Sequence, residues 1–265
     1  MDNALESSLG GRLMEMLKGI VQTVQDYAVL ASESMLCLFR RPFYLDDALY
    51  QMDAIGIGSL PIVMLSGFFI GAVMVLQTSA QFTRFGETAL VGDVVAISLV
   101  RELGPSITSL LVAGRNSSGI ASELGSMLVT EQVDAMRAMG TDPIKKLVTP
   151  RVLAATLMLP LLTAISDFIG LVGGYLISHF QLRLDPVQYW TRAIHALEFG
   201  DLVQGLVKPI IFGFILSTVG CYYGLTVRGG TQGVGRATTQ AVVTASVIIL
   251  VTNFFLTRML LFMFP

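Results

Sequence analysis

Several chemistries are missing from this 265-residue chain. It contains no Gly-Lys dipeptide, and so no loop of the kind that cradles a nucleotide phosphate before a Ser or Thr. Its two histidines, His179 and His195, form no HExxH pair and have no carboxylate at metal spacing, so no metal site is expected. Cys37 and Cys221 sit in or beside apolar segments. They give neither a disulfide framework nor a zinc spacing and read as small core residues. Only 14% of residues are charged and the net charge is -2, which offers no basic surface to nucleic acid. The opening MDNALESSLGGRLMEML lacks a basic stretch leading into a clean apolar core, so no cleaved signal peptide is expected.

What is abundant is apolar. The chain is 53% hydrophobic with a mean hydropathy of +0.70, too apolar and too poor in charge for a soluble domain of this size. An integral membrane protein follows, and helices are the structure that satisfies the backbone in lipid. Between Asp53 and Arg84 lie 30 residues without a formal charge. They make about 45 Å of helix at 1.5 Å per residue, against a hydrocarbon core of about 30 Å. The first span is therefore tilted or projects beyond the membrane. A second span is expected at about 88–114, a third within 147–180 despite Arg151 and Asp167, a fourth at 209–227 and a fifth at 237–257.

Residues 12–41 differ. Glu15, Lys18, Asp26 and Glu33 recur too often for a span, yet Leu, Met and Val fill the gaps. The pattern suits a helix lying in the membrane interface and ending at Arg40-Arg41-Pro42. An amphipathic helix packed on the bundle fits the same pattern. The fold class expected is an all-α membrane protein, with an N-terminal interfacial region at 1–45 and a five-span domain at 46–265.

Orientation follows from Lys and Arg. They gather in the N-terminal segment (Arg12, Lys18, Arg40, Arg41), between spans two and three (Arg115, Arg137, Lys145, Lys146, Arg151) and between spans four and five (Arg228, Arg236). The other side carries fewer: Arg84, Arg183, Arg192, Lys208 and Arg258. The N-terminus is expected inside and the C-terminus outside.

One stretch breaks the apolar rule. VVAISLVRELGPSITSLLVAG (94–114) holds Arg101 and Glu102 near its middle, where a charge at a helix centre costs about 2.5–3.5 kcal/mol on the insertion scale. Adjacent residues project about 100° apart and cannot pair with each other. Pro105 has no N–H, so the carbonyl of Arg101 loses its helical donor. Two readings are open: the pair lines a wet cavity, or it forms structural ion pairs with other helices. Asp167 is a further intramembrane carboxylate, in the same cavity or near the outer interface.

RELGPSITSLLVAGRNSSGIASELGSMLVTEQVDAMRAMGTDPIKKLVTPRVLA (101–154) closely resembles the signature region of MlaE-type permeases. These are membrane subunits of ABC transporters that move phospholipid between the inner and outer membranes of Gram-negative bacteria and help maintain outer-membrane lipid asymmetry. GGTQGVGRATTQAVV (229–243) is similar to that family's second signature, and SGFFIGAVMVLQ (66–77) to its first-span pattern. The resemblance covers essentially the whole chain. It implies that Arg101 and Glu102 are the family's membrane-embedded pair. It also implies a lipid pocket between two copies of the permease, lined by the outer end of the first span with Leu76, Phe82 and Phe85. Taken alone, Phe82 and Phe85 read more simply as an interfacial aromatic belt. The partners implied are the phospholipid substrate, a separate ATPase subunit that binds the ATP, an MCE-domain lipid-binding subunit facing the periplasm, a small STAS-domain subunit and a second copy of the chain. The location implied is the bacterial inner membrane.

Between spans two and three, a helix is expected at about 122–140. Glu123, Thr130, Glu131, Asp134 and Arg137 fall on one face, while Leu124, Leu128, Ala135, Met136 and Met139 fall on the other. Gly140 supplies its C-cap and Asp142-Pro143 stops it. The pattern alone fits a helix packed on its own bundle. The resemblance makes it the coupling helix, with Glu123, Glu131, Asp134 and Arg137 facing the ATPase. GGTQGVG (229–235) follows a membrane helix and lacks lysine, so it reads as a tight turn and not a phosphate loop. Gly67–Gly71, Gly170–Gly174 and Gly220–Gly224 have helix-packing spacing, with contact between permease copies open for the first pair. The competing function is an ion-coupled secondary transporter with Glu102 or Asp167 titrating, although such carriers are usually built from paired repeats and none is visible here. A membrane-embedded enzyme finds no catalytic constellation.

Overall fold

The computed structural model describes residues 2–38, 44–86, 90–181 and 185–263, and every regular element among them is helical. Helix α1 is Asp2–Cys37 and α2 is Leu45–Phe82. Helix α3 is Val91–Val129 and carries a π turn at Leu99–Leu103. The short α4 is Gln132–Ala138. Helix α5 is Ile144–Phe180 and opens with a π turn at Ile144–Val148. Then come α6 (Pro186–His195), α7 (Phe199–Leu225) and α8 (Gly230–Met263). Five of them, α2, α3, α5, α7 and α8, are long and apolar enough to cross a membrane, as expected.

Helix α2 packs along α5, and α3 lies against both α7 and α8. Of the most apolar stretch of each span, 61% is buried in α7 and only 17% in α8, so α7 is central and α8 is an outer wall. Small residues set the closest approaches. A Cβ on Gly71 would lie 1.8 Å from the Gly170 carbonyl, and one on Gly67 2.6 Å from that of Ser166. The first two glycine pairs therefore pack against each other within the chain, and the first is not left free for a second copy. Gly220 and Gly224 meet α3 at Ser117 and Leu124.

Several elements depart from expectation. Helix α7 begins at Phe199, not near 209, and takes Lys208 inside the helix, because a partner for its charge waits on α3. The 122–140 segment is two helices: residues 122–129 finish α3, and Glu131 turns the chain with φ 60° before α4. That turn lets Val133 drop into a cluster with Leu30, Leu124, Leu147 and Val148, which a straight continuation would not reach. Gly140, with φ 78°, ends α4 as expected, through Gly140 N to Arg137 O (3.0 Å) and Thr141 N to Met136 O (2.9 Å). In the 229–235 segment only Gly229 and Gly230 form the turn, both with positive φ; the remainder is already α8.

Helix α1 starts at Asp2, ten residues before expectation. One stripe packs on the bundle: Leu30 and Ser34 are buried, and the Tyr27 hydroxyl lies 2.9 Å from Thr218 Oγ1. Val21, Val24, Met35 and Leu36 remain exposed on the other side, as an interfacial helix needs. Its expected end at Arg40-Arg41-Pro42 lies outside the described residues. Helix α6 has no counterpart in the sequence expectations. Asp185 caps it by accepting from Val187 N (3.2 Å), Pro186 opens it, and Tyr189 and Ala193 bury against α3 and α5. Burial raises the Tyr189 phenol above its ordinary pKa and keeps it a donor to Leu171 O at 3.4 Å.

Candidate functional site

Pro105 leaves the Arg101 carbonyl without a helical donor, and Lys208 of α7 supplies one. Its Nζ lies 2.8 Å from Arg101 O and 2.6 Å from Glu102 Oε1, with the lysine side chain fully buried. Glu102 is also held from α8: Thr257 Oγ1 donates to Oε1 at 2.9 Å and Asn253 Nδ2 to Oε2 at 3.3 Å. Arg101 turns the other way and places Nε 3.1 Å from Asp201 Oδ1. Asp201 closes the α7 capping box as well, its Oδ2 accepting from Glu198 N at 3.0 Å. Asp201 and Lys208 are seven residues apart on one face of α7, two turns or about 10 Å. Neighbours on α3 that cannot pair with each other thus each find a partner on α7. Gly205, between them, allows Val100 O to approach where a Cβ would lie 2.8 Å away.

The cluster is not at the centre of α3. Arg101 is the eleventh residue of a 39-residue helix, toward the end of the bundle opposite α4. Both charges are paired with other helices, and both keep partial exposure: 26% for the Arg101 side chain and 39% for that of Glu102. The Nη groups of Arg101 make no hydrogen bond to the described residues, and the side chain is 26% exposed. Lys208 is the member of this cluster that the sequence analysis places in an outer loop and not in a span. Two signals pointed to it: an intramembrane Glu102 without a partner, and an Arg101 carbonyl without a donor.

Asp167 of α5 stands against the same bend. A Cβ on Gly104 would lie 1.7 Å from its Oδ1, and that oxygen is buried without a hydrogen-bond partner. Leu76 and Phe82 are half-buried near the far end of α2. Phe82 packs against the buried cluster that includes Val75, Val91 and Leu99, and neither residue enters the hydrogen bonds of the charged cluster. Phe85 belongs to the short turn Thr83–Phe85, and its side chain lies outside the described residues.

At the opposite end, Glu131 in the turn before α4 and Asp134 and Arg137 on α4 are exposed, the last two in a 3.0 Å pair. Met139 is 75% exposed beside them. Glu123 does not share their helix. It sits on α3 and pairs with Arg151 Nη2 at 2.8 Å.

Five apolar spans, a charged cluster between them and a short helix at the other end define a polytopic membrane protein. The permease MlaE family matches residues 48–259, and the chain belongs to that family. It is 42% identical over 255 residues to a probable ABC transporter permease protein of Rickettsia felis, covering 96% of this chain and 97% of that protein. It is 37% identical over 228 residues to the Arabidopsis thaliana protein TRIGALACTOSYLDIACYLGLYCEROL 1, chloroplastic, covering 86% and 65%. Its identity to the Haemophilus influenzae intermembrane phospholipid transport system permease protein MlaE is 34% over 211 residues, covering 79% and 81%.

Proposed function

We propose that this chain is the membrane subunit through which an ABC transporter moves phospholipid between the inner and outer membranes, with ATP bound and hydrolysed by a separate subunit docked on α4. The observation that carries this reading is Arg101: a partly exposed guanidinium paired through Nε with Asp201, whose Nη groups make no hydrogen bond to the described residues. A planar fork of that kind binds a phosphodiester through two charge-assisted hydrogen bonds. The name of the Haemophilus relative supports the same substrate class. A second copy of the chain completes the lipid site, since five spans enclose little volume for a two-tailed lipid. A periplasm-facing MCE-domain subunit and a small STAS-domain subunit complete the assembly. The location is the bacterial inner membrane, with α4 and the N-terminus in the cytoplasm and the C-terminus in the periplasm. The test is purification with the products of neighbouring genes, mass spectrometry of the bound lipid, and ATP-dependent lipid transfer between vesicles. A complex that carries no phospholipid and moves none defeats the reading.

Asp167 favours a second reading. Glu102 is committed to Lys208, but the Asp167 carboxyl has no ion pair among the described residues, which leaves it the freer of the two to titrate in an ion-coupled carrier. Lipid or solute movement driven by a proton gradient without ATP would select it.

A further inference from the structure

At the α4 end, two ion pairs tie three spans together, well away from the Arg101 cluster. Arg151 of α5 is 4% exposed; its Nη2 lies 2.8 Å from Glu123 Oε1 of α3, and its Nη1 donates to Leu147 O at 2.6 Å. Lys146, also of α5, pairs with Asp47 in the first turn of α2 and lies 4.3 Å over the Tyr44 ring. A cavity of about 220 Å³ separates the two pairs, lined by all four charged residues. Both cations therefore come from one stretch, residues 146–151, just after the turn that ends α4. The same stretch carries Leu147 and Val148, which bury against Val133 of α4.

We propose that Glu123–Arg151 and Asp47–Lys146 form a clamp of positioning residues, which converts a displacement of α4 into a joint movement of α2, α3 and α5. The inference rests on α4 being the helix that docks the ATPase. Apolar contact through Val133 couples α4 to the start of α5 and, through Leu124, to α3, but includes no residue of α2. The Asp47–Lys146 pair supplies the link to α2, and the Glu123–Arg151 pair adds a polar tie between α3 and α5. The Arg151 pair is the stiffer one, because burial of its guanidinium limits screening by salt, whereas the Lys146 pair is partly exposed. Glu123 is then a residue that acts inside the chain, while Glu131, Asp134 and Arg137 face the partner.

The test uses the whole complex with its ATPase subunit in lipid nanodiscs, read as folded yield, ATP hydrolysis and lipid moved per ATP. With both links removed, Glu123→Gln plus Asp47→Asn, lipid moved per ATP falls by at least about fivefold, the lower end of usual site-to-site coupling, while ATP hydrolysis persists. The exchange Asp47→Lys with Lys146→Asp recovers most of what Asp47→Asn alone loses, since a half-exposed pair can be reversed without burying a new charge. A purely structural pair would lower yield and transport together and leave the ratio unchanged. That result, or an unchanged ratio in Asp47→Asn, which strands no buried cation and so folds even if the Glu123 variant does not, overturns the clamp. The underlying reading fails separately: Asp134→Lys with ATPase retention and transport unchanged would remove α4 from the docking interface.

Discussion

Lys208 reaches the Arg101 carbonyl at 2.8 Å and Glu102 Oε1 at 2.6 Å with one ammonium group. The π turn and the intramembrane carboxylate are therefore one structure. Pro105 removes a backbone donor, the π turn brings the freed carbonyl and Glu102 to the α7 side, and a single lysine satisfies both. Thr257 and Asn253 then lock Glu102 to α8. Three spans meet at one carboxylate.

The first prediction separates assembly from transport at this point. Glu102→Leu strands a fully buried ammonium, at a cost of about 3–5 kcal/mol, and complex yield should collapse. Glu102→Leu with Lys208→Met removes both charges and should restore yield and thermal stability. Lipid transfer by the restored complex is the deciding measurement. Restored transfer would make the pair structural, whereas a folded but inactive complex assigns it to the substrate path.

The second concerns Arg101. Arg101→Lys keeps a charge for Asp201 and should assemble normally, but a point charge does not reproduce the open fork. Bound phospholipid per complex, counted by mass spectrometry, should fall severalfold in Arg101→Lys and further in Arg101→Ala. Equal lipid occupancy in all three would rule out a headgroup contact.

Much of this was legible in the sequence, and the part that was not has a physical cause. The spans, the freed Arg101 carbonyl before Pro105 and the α4 cap at Gly140 follow from local chemistry: apolar length, a missing N–H, a positive φ. Lys208 was not legible as a membrane residue because its burial depends on a charge 106 positions away, and composition near Pro209 looks like a span boundary. The two-helix form of 122–140 was hidden for a similar reason. Its charge pattern is continuous, and only the tertiary burial of Val133 forces the turn at Glu131.

The turn at Glu131 gives a third prediction. Glu131 is the one described non-glycine residue with positive φ, at 60°. Glu131→Gly should stabilise the isolated permease by roughly 1 kcal/mol by relieving that strain. Glu131→Lys has the same strain as the native residue and changes only the charge, so any loss of ATPase retention in that variant belongs to the docking contact. Lys and Gly variants with identical ATPase binding and transport would leave Glu131 a purely structural turn residue.

The last prediction places the second copy of the chain on α8. This helix is the least buried of the five spans, and Asn253 and Thr257 on its inner side already hold Glu102. Its outer side carries Val243, Val247, Leu250 and Phe254, an exposed stripe at spacings of three and four. Apolar exposure alone would suit lipid equally well. What favours a second copy is position: if Arg101 holds the lipid as proposed, the lipid needs a wall opposite α3 and α7, and α8, which borders Glu102, is the span placed to supply it from a symmetry-related chain. A twofold interface brings each residue of the stripe near its own counterpart. In a background with Cys37 and Cys221 replaced, Val247→Cys and Leu250→Cys should therefore form disulfide-linked dimers in native membranes under mild oxidation. Leu157→Cys, on the exposed side of α5, should remain monomeric. Cross-linking through Leu157 with none through α8 would move the interface to the opposite face, and with it the lipid site away from Arg101.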